Sequence, residues 1–108
     1  MIIRISDAAK LDLLVGCQFY ENQEENIGSY FLDSLYSDID SLKLFAGIHR
    51  KKFGYHWMLA KTFPFAIYYE LKSRDIILIH AVVDCRQNVP GSIERASRER
   101  VIERIFSL

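Results

Sequence analysis

FPFAIYYEL, residues 63 to 71, decides how this chain folds. Phe63-Pro64 marks a turn or a sheet edge, because proline has no N–H to give to a strand ladder. Phe65 to Leu71 is then aromatic and aliphatic enough to form a strand. Working outward, Tyr55 to Lys61 reads as a preceding strand and Lys72-Ser73-Arg74-Asp75 as a polar hairpin tip. Ile76 to Val83 is a nearly continuous β-branched run of the kind that fills a central strand covered on both faces, with His80 interrupting it. Three strands joined by short connections make an antiparallel meander, which ends in a polar tip at Asp84, Arg86, Gln87 and Asn88.

Upstream, Ile2 to Ile5 alternates apolar and polar residues as a short strand does. Ser6 or Asp7 offers an N-cap oxygen to a helix running to about Asn22, with Ala8, Leu11, Leu14, Val15 and Phe19 as its apolar face. After the polar stretch at 23–26, Phe31, Leu35, Ile39 and Leu42 stripe a second helix, which Gly47 ends by accepting the left-handed conformation. Two helices joined so closely pack as an antiparallel hairpin over one face of the sheet. Beyond Pro90-Gly91, Ser92 caps a final helix carrying Ile93, Ala96, Val101 and Ile105 on one face.

At 108 residues, half of them hydrophobic, the chain reads as one α+β domain over 1–108, able to bury a core without staples. Cys17 and Cys85 have neither CxxC spacing nor a histidine partner at diagnostic spacing, so no disulfide framework, metal site or cysteine chemistry is expected. No cofactor motif is present either. The start, MIIRISD, reaches charge too soon for the apolar core of a signal peptide, and no run approaches a membrane span; a cytoplasmic setting without membrane contact is the expectation. The net charge of zero hides an asymmetry. Residues 1–42 carry eight acids against two bases, and the remainder carries twelve bases against six acids. The basic part suits a polyanion or the acidic segment of a protein partner.

The element order and four strings resemble the RelE/ParE superfamily of type II toxins, in particular its ParE-like, plasmid-stabilisation branch. The strings are FYE (19–21), FLDSL (31–35), FPFAIYYEL (63–71) and HAVVDCRQN (80–88), the third being the most specific. The resemblance implies a helix hairpin packed on a small twisted antiparallel sheet, β-α-α-β-β-β, with a C-terminal helix. It implies a toxin neutralised by a cognate antitoxin, as a homodimer or a hetero-oligomer with that antitoxin. RelE-like members cut mRNA on the ribosome with Lys and Arg side chains, without a metal, whereas ParE-like members inhibit DNA gyrase by binding.

This chain departs from the nuclease pattern. His56, Met58 and Ala66 stand where RelE-like members carry cations, Arg86 matches the family's Arg, and Ser92 and Ile93 occupy the neighbourhood of the family's Tyr. A nuclease here draws on His56, His80 and Arg86 to move protons and stabilise phosphate charge. A binding toxin draws on Arg50, Lys51, Lys52, Lys61, Arg86 and Gln87. Asp84-Cys85-Arg86-Gln87 also replaces the His-x-Arg-Arg string common in the ParE-like branch, which leaves open a relative that binds antitoxin without toxicity.

Each residue also has an ordinary structural role available. A histidine inside an apolar strand is commonly a hydrogen-bonded sheet residue, and Arg86 can pair with Asp84 or Glu70 on the surface. Arg50, Lys51 and Lys52 fit a solvated loop. Trp57, Tyr68 and Tyr69 fit sheet packing better than base stacking.

Overall fold

The computed structural model describes residues 1–86. In chain order the elements are β1 (Ile2–Ile5), α1 (Asp7–Gln23), α2 (Ile27–Asp40), α3 (Leu42–Phe45), β2 (Lys51–Lys52), β3 (Tyr55–Leu59), β4 (Phe65–Leu71) and β5 (Ile76–Asp84). The strands form one five-stranded sheet in the order β1-β5-β4-β3-β2. Gln87 and the expected C-terminal helix lie outside the described residues.

The meander is antiparallel, with Trp57 opposite Tyr68 and Tyr68 opposite Ala81. β1 instead runs parallel to β5, Ile2 opposite Ile76 and Ile5 opposite Ile79. The sheet is therefore mixed, which corrects the expectation of a wholly antiparallel one. The connection between these parallel neighbours is the whole stretch from α1 through β4, far longer than the dozen or so residues that a parallel pair requires. β2 is the other addition. Phe53 (φ 58°) and Gly54 (φ 83°) both adopt positive φ, so a two-residue turn folds Lys51–Lys52 back onto Tyr55 and His56.

Ser6 caps α1, its Oγ accepting from Ala9 N–H at 3.1 Å and donating to the carbonyl of His80 at 3.1 Å. One side chain thus starts the helix and ties it to β5. The face α1 buries is Ala9, Leu13, Gly16 and Tyr20. Leu11, Leu14, Val15 and Phe19, the expected inner face, are about half exposed. The reason is clearance: a Cβ at Gly16 would stand 2.6 Å from the Phe31 ring, and one at Gly28 would stand 2.7 Å from the Cys17 carbonyl. Small residues therefore decide which side of α1 meets α2, and the larger apolar ones turn outward.

Glu21 of α1 caps α2, its two carboxylate oxygens accepting from Asn26 and Gly28 N–H at 3.1 and 3.0 Å. The expected second helix breaks at Ser41, whose Oγ donates to the Asp38 carbonyl at 2.5 Å, and one further turn, α3, follows. Gly47 (φ 94°) then ends the helical segment as expected.

Phe31, Leu35, Ile39 and Leu42 meet Phe65, Ile67, Tyr69, Ile77, Ile79 and Val82 in the main core. A smaller cluster, Ala66, Tyr68 and Ala81 with Tyr55 and Trp57 beside it, lies on the other side of the sheet. Tyr68 and Tyr69 are thus packing residues, one on each face. No helix among the described residues is long and apolar enough to cross a membrane.

Candidate functional site

The residues singled out in the sequence fall at two ends of the sheet. Lys51 and Lys52 form β2 beside His56, next to exposed Arg50. Arg86 follows β5 at the opposite end, where Cys85 N–H donates to the Pro64 carbonyl, and Lys61 lies on that side too. Six strand residues, from the level of Glu70–Leu78 to that of Phe65–Asp84, separate the ends, about 20 Å at the rise of a strand. His56, His80 and Arg86 are therefore not gathered into one centre.

The two histidines also face opposite ways. The His56 ring stacks on Tyr69 on the helix side (centroids 5.1 Å apart), while His80 packs against Tyr55 at 4.4 Å on the far side. His80 stands at a register shift between β4 and β5, a bulge where Tyr68 faces Ala81 and Tyr69 faces Ile79. Bulges re-aim a side chain, and here the imidazole Nε2 reaches Glu70 at 2.8 Å. That hydrogen bond, reinforced by Lys72 3.6 Å away, holds the Glu70 carboxyl below its usual range against the upward push of burial.

A cavity of about 470 Å³ opens at the β2 end, lined by Lys51, Phe53, Tyr55, His56, Tyr69 and Glu70 among others. His56 Nδ1 lies 2.7 Å from the His49 carbonyl, which only accepts, so Nδ1 carries a proton and Nε2 is the ring nitrogen left for other partners. Behind it, the Tyr69 hydroxyl accepts from Gly47 N–H at 2.9 Å and shares a hydrogen bond of 2.5 Å with His49 Nδ1. Burial pushes the Tyr69 hydroxyl up in pKa; burial and then the neighbouring His56 push His49 down. The pocket thus presents a cation, a tautomerically fixed imidazole and a carboxylate on a buried hydrogen-bonded base. It suits a ligand with both anionic and donor groups.

At the other end Arg86 is already engaged. Its Nε and Nη2 each lie 3.3 Å from an Asp84 carboxylate oxygen, and its guanidinium stands 5.1 Å from the ring centres of both Phe19 and Tyr20. The bond to Asp84 raises its pKa further. Lys61 is exposed, and its backbone N–H donates to the buried carboxylate of Asp38 at 3.1 Å, fastening α2 to the β3–β4 connection.

Sequence reasoning missed the Tyr69–His49 bond and the turn at Phe53-Gly54. The turn had a signal, a glycine closing a two-residue gap between a Lys pair and an aromatic run. The His49 contact joins residues twenty apart and had none. Among the described residues no group of three or more His, Cys, Asp or Glu side chains is arranged to hold a metal ion. The sequence matches no protein-family model and no curated protein.

Proposed function

We propose that this protein is the toxin of a type II toxin–antitoxin pair, of the ParE-like, plasmid-stabilisation kind, which arrests growth by binding DNA gyrase and is neutralised by a cognate antitoxin. The observation that carries this reading is FPFAIYYEL, whose residues from Phe65 to Leu71 form β4, the central strand of a sheet ordered β1-β5-β4-β3-β2 under a helix hairpin. Binding is favoured over cutting because Arg86 is committed to Asp84 and to two aromatic rings, and the nearest imidazoles lie on opposite faces. A supercoiling assay with purified gyrase tests the target. Loss of supercoiling on adding the protein, restored by the product of a short neighbouring reading frame, is the expected outcome. Full supercoiling at excess protein rejects gyrase.

One observation favours a second reading, a metal-independent endoribonuclease acting on ribosome-bound mRNA: the fixed tautomer of His56 beside Lys51 in a pocket. There the imidazole would take the proton of a 2′-hydroxyl while the lysine steadied the phosphate. Mapping RNA 5′ ends after induction decides it, since new ends that vanish in His56→Ala would replace the binding account. A protein that binds its antitoxin but leaves growth untouched would be a relative without toxicity.

A further inference from the structure

We propose that the apolar turn around α3, with the basic edge strand that follows it, attaches this chain to the surface of an anionic lipid bilayer. Leu44 and Ile48 are 82% and 74% exposed, more than any other large hydrophobic residue among those described, and Phe45 between them is half exposed. Three large apolar side chains on the surface within five residues form a patch rather than the single scattered leucine of an ordinary surface. The backbone holds them there. Leu42 is fully buried, and Ala46 N–H donates to its carbonyl at 2.9 Å. Gly47 N–H is held by the Tyr69 hydroxyl, and Ile48 N–H closes back on the Phe45 carbonyl at 3.3 Å. The inner side of this turn is thus occupied by Leu42, and Leu44, Phe45 and Ile48 stay in water.

Positive charge borders the patch. Residues 42–52, LKLFAGIHRKK, contain no Asp or Glu. Lys43 is taken up by Asp40 at 3.0 Å, but Arg50, Lys51 and Lys52 are exposed and form no ion pair among the described residues. Lys51 lies opposite His56 and Lys52 opposite Tyr55, so their side chains leave opposite faces of the sheet. Because β2 is the last strand, both long side chains reach past its edge. Lys51 follows Ile48 within at most about 11 Å of chain, comparable to the distance over which an anionic surface draws in cations. The apolar tip decides the class of partner. A nucleic acid would use the cations and leave Leu44 and Ile48 in water. A partner helix docks in a groove, and neither the histidine pocket nor the groove between β1 and α2 is lined by Leu44, Phe45 or Ile48. A bilayer asks for no groove: protruding apolar side chains enter the acyl boundary while the cations stay at the level of the lipid phosphates. Attachment of this kind needs no spanning helix, so the lack of one among the described residues does not oppose it.

The inference is independent of the proposed function. Its test spins down the full chain at low salt with vesicles of phosphatidylcholine, either alone or with about one third of the lipid replaced by phosphatidylserine. The chain should pellet with the anionic vesicles and stay in solution with the uncharged ones. Leu44→Ser with Ile48→Ser, both at exposed positions, should cut partitioning about tenfold or more while circular dichroism stays unchanged. Arg50→Gln and Lys51→Gln should each cut it about fivefold, and added salt should weaken binding of the parent. In Leu44→Trp the fluorescence emission should move to shorter wavelength when anionic vesicles are added. No pelleting with anionic vesicles overturns the proposal, including the case in which the chain binds polyuridylate or polyglutamate instead. So does pelleting that is equal on both kinds of vesicle, that survives Leu44→Ser with Ile48→Ser, that is indifferent to Arg50→Gln and Lys51→Gln, or that leaves the Leu44→Trp emission where it was.

Discussion

Asp12 sits on α1 with its carboxylate against the sheet, accepting the N–H of Val82 at 2.9 Å. Burial raises its pKa from 3.8 to about 6, and the Val82 hydrogen bond offsets only part of that. A carboxyl with a raised folded-state pKa favours folding while protonated. That contribution is whole below about pH 4 and is lost as the pH rises through about 6. Asp12→Asn keeps an acceptor for Val82 and removes the titration. Urea unfolding should show it more stable than the parent at pH 7, by about 1 to 2 kcal/mol after solvent screening, with the slope between the two pKa values gone. Phe53 carries the opposite kind of cost. An aromatic residue at φ 58° is strained, by about 1 kcal/mol, so Phe53→Asn should raise the unfolding midpoint. Phe53 also lines the pocket, so the same variant should weaken binding there; unchanged stability would mean that its contacts with Lys52 and Tyr68 balance the strain. Neither residue was legible beforehand. Asp12 looked like any polar helix residue, and its environment comes from a strand seventy positions away.

At the scale of elements, the strands are more legible in the sequence than the faces of the helices. β1 and β4 fall at the expected residues because strand identity here follows local composition, bounded by proline or polar tips. α1 is legible as a helix, but the face it buries is not the one its larger apolar residues mark. It carries apolar residues on two sides, and the choice between them rests on Gly16 and Ala9 fitting against a neighbour, which periodicity does not encode. Gly16→Ala tests that choice. Its added methyl meets the fully buried Phe31 ring, an overpacking that should cost about 1 to 3 kcal/mol in thermal or urea unfolding. An unchanged melting temperature would show that the helix pair can spread freely. Glu21→Ala removes acceptors for two N–H groups at the start of α2. The expected loss is about 1 to 2 kcal/mol, read as reduced protection of the Asn26 and Gly28 amides in hydrogen exchange.

For the whole molecule, the charge asymmetry seen in the sequence acquires a shape. The acid-rich part is mostly the helix hairpin, and β2 places two lysines on the sheet edge beside the histidine pocket. Reversing both, Lys51→Glu with Lys52→Glu, should slow association with an acidic partner about tenfold at low salt and much less at high salt. Equal slowing at all ionic strengths would point to lost contacts rather than lost steering. The candidate site was legible as a set of residue types but not as an arrangement: the sequence shows His56, His80 and Arg86, and only the register of β3, β4 and β5 separates them. Growth of cells that lack any antitoxin, followed after inducing this chain alone, is the most direct test of the toxin reading. The account predicts arrest with no new RNA 5′ ends. Normal growth while the folded protein accumulates would contradict it.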